Sequence, residues 1–454
     1  MQQFMKSQSR LQLTFALVIV GLHVVFYLLA LHYQHIYNGD SFEYIQEAVN
    51  IKDNFFFYSG NRALPILEEY KTLRTPLYPV FLALIYSLKI NNWLVLFVQN
   101  ALSVFNVFYF RKILLENGYT GRFHWLLLLF IVGFPVQFIY ANTIAPEILL
   151  QTFSLFYFRY AFRFLTSRQA KAAFQMSTAL LLALLTKPVF YPFAFLHFLL
   201  VCGFIIFYKT NWRRCLAAAF IPIAGIVLYS FWNYERTGKY HFSSIQSFNA
   251  IFYYNSYLQA KNGFDSSRSF LNHERQIIAG MPAFKDRYDY AHQRGSGLLK
   301  ENFSGYTLFH VKHSLLFYLE PGKGEIDLFT GRMTLGGLYT AKTANFREVL
   351  NTRSFQKIVR YLTAYPATWL ALFILALNLV KCTGVLLFFF YARVNRVAKW
   401  FLLICFGYFA LITGPISSPH YVLPVSLIFA GCAVRGFEWI TNRKTSTPQP
   451  LVSL

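Results

Sequence analysis

The sequence predicts an all-α, polytopic membrane protein, and three observations carry that prediction. Apolar stretches of roughly 20 residues recur along the whole 454-residue chain, the length an α-helix needs to cross a hydrocarbon core of about 30 Å. Only 13% of the residues are charged against 56% hydrophobic, and mean hydropathy is +0.39, whereas water-soluble domains carry about 25% charged residues. The Lys and Arg side chains behind a net charge of +23 sit mostly between the apolar runs. That is how loops held against anionic lipid look, and it argues against nucleic-acid binding. A transmembrane barrel would instead show alternating segments of about 10 residues.

In chain order, the run Leu11–Tyr33 exceeds the 7–15 residues of a signal-peptide core and is expected as a retained first span with a cytoplasmic N-terminus. A polar loop over 34–75 follows, containing the helix-compatible "DSFEYIQEAVNIKDN" and then "LEEYKTLRTPLYP". Apolar segments resume at 77–110, 123–142, 147–165, 172–187, 189–208 and 215–232, and return at 366–391, 400–416 and 422–439. About ten transmembrane helices are thus expected, with 77–110 read as one long, tilted or broken helix, although "SLKINNW" could split it into two short ones. The expected organisation is a membrane module over 1–232, a mainly helical extracytoplasmic insertion over 233–365, C-terminal spans over 366–441 and a cytoplasmic tail over 442–454.

Counting positive charge orients the chain. Lys6 with Arg10, Arg111 with Lys112 and Arg122, Arg168 with Lys171, Lys209 with Arg213 and Arg214, Arg393 with Arg396 and Lys399, and Arg443 with Lys444 fall on one side if spans alternate. The loop 34–75, "YANTIAPE", "TKPVFYP", the insertion and "GPISSPHY" fall on the other. Cys202, Cys215, Cys382, Cys405 and Cys432 lie in or beside apolar runs without CxxC spacing, so neither a disulfide framework nor a zinc site is indicated. No Walker loop, GxSxG or HExxH motif occurs.

The residues able to carry chemistry are therefore the few charged and turn-forming ones on the non-cytoplasmic side. They are Asp40 and Glu43, Arg74 before "TPLYP", Glu147 after Pro146, Lys187 before Pro188, and His420-Tyr421 before "VLP". Each has a plain alternative. Asp40 suits a helix cap, Glu147 a helix dipole, Arg74 and Lys187 the headgroup layer. What favours chemistry is their convergence at one membrane surface.

"GDSFEYIQEA" followed by "RTPLYPVFLALIY" resembles the start of the GT-C superfamily of membrane glycosyltransferases, in the branch of protein O-mannosyltransferases, the lipid A aminoarabinose transferase and lipopolysaccharide-core sugar transferases. "NTIAPEILLQTFSLFYF", "LLALLTKPVFYPF", "NYERTGKYHFSSIQSFNAIFYYN" and "SSPHYVLPVSLIFAGCAV" resemble that branch's later landmarks, in the same order. The resemblance implies a GT-C-like helical bundle and a sugar moved from a polyprenyl-phosphate donor to an acceptor hydroxyl of a glycan, lipid or protein, commonly with inversion. It implies transfer on the periplasmic or lumenal side, and the expected location is a bacterial inner membrane with the active site facing the periplasm. It makes Asp40 the general base, Glu147 a second acid, and Arg74 and Lys187 donor-phosphate ligands, with Glu43, one helical turn from Asp40, a further candidate acid. Tyr44, Tyr78, His420 and Tyr421 are candidate substrate contacts. The first loop reads Gly39-Asp40-Ser41 where many relatives carry two adjacent acids, which leaves the identity of the base open. No metal site is assigned. Oligosaccharyltransferase relatives use a divalent cation, so that cofactor stays open too.

The residue types suit such a reaction on their own. An attacking hydroxyl must lose its proton to a carboxylate within reach, and a departing phosphate calls for Arg or Lys. The rival from another class is a transporter or flippase of lipid-linked sugars. Transporters place polar sites near the midplane, often between repeated halves, and no such repeat is visible in this chain.

Overall fold

The computed structural model describes residues 2–208, 211–334, 354–414, 416 and 418–442. Helices account for its architecture. Among the described residues seven are long and apolar enough to cross a membrane: Leu11–Tyr33, Asn92–Glu116, Pro188–Tyr208, Trp212–Thr237, Ala367–Tyr391, Arg396–Thr413 and Leu423–Thr441. The shorter apolar helices Leu77–Leu88 and Ala170–Thr186 pack among them. The chain is an all-α, multi-pass membrane protein.

Helix α1 (Gln2–Tyr33) ends where Gln34 takes a left-handed φ of 60°. Helix α2 (Ser41–Asn54) follows directly and buries Tyr44, Glu47, Ala48 and Ile51 on one face, the spacing of an amphipathic helix. The stretch 77–110, expected as one helix, is two. Helix α3 (Leu77–Leu88) stops at an extended Lys89, and Asn91 accepts a hydrogen bond from the N–H of Trp93 at 2.8 Å, capping α4 (Asn92–Glu116). Twelve residues reach only about 18 Å, too short for the bilayer core, whereas α4 is long enough to cross it. Helix α3 lies on α2, with Tyr78 edge-on to Tyr44.

The next stretch also breaks, at Pro135, into α5 (His124–Val132) and α6 (Val136–Ala141). Helices α7 (Glu147–Ser167) and α8 (Ala170–Thr186) form an antiparallel hairpin turned at Arg168, whose φ is 55°. Pro188 closes α8, and α9 (Tyr191–Tyr208), α10 (Trp212–Ala219) and α11 (Ile221–Thr237) follow, with Pro222 opening α11.

The insertion is helical where described: α12 (Ile245–Asn262), α13 (Phe264–Ala279), α14 (Phe284–Glu301), α15 (Phe303–Leu316), α16 (Lys323–Phe329) and α17 (Phe355–Ala364). Helices α12–α14 share a small core around Ile251, Ile278 and Ala291. The chain after α15 returns to the spans, α18 (Pro366–Tyr391), α19 (Arg396–Thr413) and α20 (Leu423–Asn442). Tyr318 stacks on Phe429 at 4.3 Å and donates to the carbonyl of Phe406 at 2.8 Å. Helices α18 and α20 meet through glycines: a Cβ on Gly436 would lie 2.0 Å from the Gly384 carbonyl oxygen. Such close backbone approach is how apolar helices gain dispersion contact where no hydrophobic effect operates between them. Residues 335–353 of the insertion and the tail from Arg443 onward lie outside the described residues, as do Lys209 and Lys444.

Basic residues gather at one end of the bundle. There Arg111 sits over Phe15, Arg168 over Tyr208 and Arg393 over Trp439, while Arg435 donates to the carbonyl of Gly118 at 2.6 Å. The first loop and the helix turns at 142–147, 187–191 and 418–421 meet at the opposite end.

Candidate active site

Asp40 occupies the N-cap position of α2 without capping it. Its side chain makes no capping hydrogen bond. Asn38 does the local work instead, its Oδ1 accepting from the Asp40 N–H at 3.0 Å and from the Ser41 hydroxyl at 2.9 Å. The Asp40 carboxylate turns to Arg74, whose Nη2 donates to Oδ1 at 2.7 Å. The same guanidinium grips Glu43 through Nε at 3.0 Å and through a second contact from Nη2. Arg74 is thus held between two acids one helical turn apart, and also lies over the Tyr44 ring at 5.1 Å.

A second ion pair stands beside the first. Lys187 ends α8 in an extended conformation, as a residue before proline must, and its Nζ donates to Glu147 Oε1 at 2.5 Å. Glu147 is only 3% exposed, and its Oε2 has no hydrogen-bond partner among the described residues. Lys187 also lies over the Tyr421 ring at 4.9 Å.

Asp40, Tyr44, Arg74, Lys187 and Tyr421 line one cavity of about 320 Å³, closed from above by Gln246, Asn249, Phe252 and Tyr253 of α12 and from the side by Ile412. Its roof is pinned to the first loop. The Ser243 hydroxyl donates to the Leu73 carbonyl at 3.0 Å, the Ser244 N–H to the Thr72 carbonyl at 3.1 Å, and Arg287 pairs with Glu69 at 2.7 Å. At Ile412 the cavity adjoins an apolar groove of about 580 Å³ along α19, lined by Leu196, Trp400, Leu403, Gly407, Tyr408 and Leu411.

Electrostatics separate the two acids on Arg74. Burial pushes the Asp40 carboxyl up, but Arg74, Lys187 and His420 together outweigh it and hold it below its ordinary 3.8. Burial also pushes Glu43 up, and there it prevails over Arg74, with Asp40 adding repulsion. Two neighbouring carboxyls with opposite shifts are a usual arrangement for acid–base work. Burial lowers the proton affinity of Lys187, but Glu147 and the tyrosines reverse this, and the ammonium stays charged.

Some sequence-predicted residues lie outside the cavity. Glu147 sits behind Lys187. Tyr78 is fully buried beneath Tyr44, its hydroxyl donating to Gln99 at 2.7 Å. His420 is packed between the rings of Tyr140 and Tyr421, with Glu325 Oε1 3.7 Å from its Nδ1 and Ser418 hydrogen-bonded to both. Sequence reasoning missed Glu325 and Ser418, and it left Glu47 out of the site. Glu47 falls on the face of α2 that carries Tyr44, and it is 2% exposed. Burial raises its carboxyl well above the ordinary range, against Arg236 and Arg74. Its spacing from Asp40 and Glu43 was the available signal. No group of three His, Cys, Asp or Glu side chains among the described residues is arranged to hold a metal ion. The two acids nearest the cavity are engaged by Arg74.

No family model matches the chain, and no curated protein matches it. Among solved structures it is similar to an archaeal oligosaccharyltransferase, AglB from Archaeoglobus fulgidus, in complex with an inhibitory peptide and a dolichol-phosphate. The identity is 12% and the TM-score 0.39, over 95% of this chain and 52% of that one, so the chain spans about half the length of that enzyme.

Proposed function

We propose that the protein is a membrane glycosyltransferase of GT-C type that moves a sugar from a polyprenyl-phosphate donor to an acceptor hydroxyl on the extracytoplasmic face. The observation that carries the reading is the single cavity in which a carboxylate, Asp40, faces two cations, Arg74 and Lys187, next to an apolar groove. A lipid-phosphate sugar has those three needs at once: cations for the phosphate, a base for the acceptor, and an apolar path for the chain.

The ion pairs suggest an order of events. Before donor binding, Arg74 is spent on Asp40 and Glu43. A lipid phosphate arriving at Arg74 and Lys187 competes for the guanidinium. Asp40, released from it, gains proton affinity and becomes the stronger base just when the acceptor is to be deprotonated. Attack on the anomeric carbon from the face opposite the phosphate then inverts that centre, with the proton passing to Asp40 and the negative charge to the phosphate held by the two cations. Geometry favours Asp40 over Glu43 as base, because Asp40 lines the cavity; general-base assignment rests on reach first and proton affinity second.

The test is transfer of labelled sugar from polyprenyl-phosphate donors in membranes containing the protein. Label entering a larger product supports the reading. Donor accumulating on the other face of sealed vesicles, with the sugar–phosphate bond intact, would identify a flippase instead.

A further inference from the structure

At the basic end of the bundle, far from Asp40, lies a second cavity, of about 210 Å³. The C-terminal ends of α4 and α7, the middle of α20 and the turn from α18 into α19 enclose it. Phe110, Phe162, Phe388 and Ile428 give it an apolar interior, while Arg168, Asn395 and Arg435 stand at its rim. The rim is built. Arg435 is fixed by the Gly118 carbonyl and by Glu438 at 2.5 Å. Arg168 is exposed, set by a left-handed backbone and stacked 4.9 Å over Tyr208. Asn395 caps the N-terminus of α19 by accepting from the Val397 N–H at 2.8 Å, which adds the positive end of an 18-residue helix to the same rim.

We infer that this cavity binds one acidic phospholipid from the leaflet at that end, an acyl chain in the apolar interior and the phosphate at Arg168, Arg435 and the start of α19. Charge complementarity selects the occupant: with Arg435 already paired to the buried Glu438, the exposed Arg168 and the start of α19 leave the rim of the apolar recess net positive, which fits an anionic amphiphile better than a zwitterionic one. A lipid seated there would touch α4, α7, α18, α19 and α20 at once.

The full-length protein, purified in mild detergent, is titrated with dioleoyl phosphatidylglycerol and with dioleoyl phosphatidylcholine, and retained lipid is counted by native mass spectrometry. One phosphatidylglycerol per protein is expected to persist, with phosphatidylcholine bound at least tenfold more weakly. Arg168→Asn, which tolerates the left-handed backbone, should weaken phosphatidylglycerol about fivefold, the effect of one basic residue at a lipid surface. Ala398→Phe fills the cavity from α19 and should abolish stoichiometric retention. Thr166→Trp fills it from the exposed rim and decides the matter if Ala398→Phe misfolds. Equal retention of both lipids, retention of neither, or undiminished phosphatidylglycerol binding in a folded cavity-filling variant would overturn the inference.

Discussion

Arg74 donates to both Asp40 and Glu43, so its removal should be felt twice. A charge-assisted contact to the donor phosphate would be lost, costing roughly 1.5–3 kcal/mol, or about ten- to a hundredfold in donor affinity. The acids would also lose their cation. Asp40 sits below its ordinary 3.8 because Arg74, Lys187 and His420 outweigh burial; without Arg74, burial pushes the carboxyl upward. Since the ionised form is the base, the acid limb of kcat/KM should then begin at a higher pH in Arg74→Ala, and Arg74→Lys should move it back. Unshifted pH profiles, alongside normal donor binding, would return Arg74 to a headgroup-layer role. Asp40, Arg74 and Lys187 were legible as candidates because few charged residues stand at helix ends on the side opposite the basic clusters, and these three line one cavity. Which acid points where was not legible. That Asn38 relieves Asp40 of capping, and that Glu47 is buried, depend on how α2 rolls against α3 and on the loop that covers both.

The pair Glu147–Lys187 ties the start of α7 to the end of α8, and the groove beside it is a property of α19. Lys187→Met would strand a 3% exposed carboxylate, a loss of about 3–5 kcal/mol. Adding Glu147→Gln should recover most of that stability, followed by thermal unfolding, yet leave donor binding impaired. Recovery of donor binding as well would show that Lys187 acts only by neutralising Glu147. On α19, a Cβ at Gly407 would meet nothing within 4 Å, so Gly407→Leu can be accommodated and would occupy the groove. KM should rise several-fold for a long-chain polyprenyl donor and hold steady for a short-chain one; an equal change for both would remove the groove from the donor's path. Element lengths were legible wherever Pro or polar residues bounded an apolar run. In 77–110 the polar "SLKINNW" marks where a break can fall; that the break is made depends on Asn91 capping α4 and on Tyr44–Tyr78 packing, which hydropathy does not register.

At the scale of the molecule, the basic clusters and the Asp40 cavity occupy opposite ends. Reporters at Lys171 and Lys399 should therefore read cytoplasmic and one at Gly322 extracytoplasmic; a cytoplasmic Gly322 would put the cavity's neighbouring segments on the wrong face for a lumenal or periplasmic transferase. The most direct test is the transfer rate of Asp40→Asn beside Glu43→Gln, in membranes supplied with labelled polyprenyl-phosphate sugar. Asparagine keeps the size of Asp40 and caps a helix about equally well, so insertion and donor binding should survive while transfer falls by roughly 10²–10⁴-fold, with Glu43→Gln milder. Full transfer by Asp40→Asn would contradict the assignment of Asp40 as the base at this cavity.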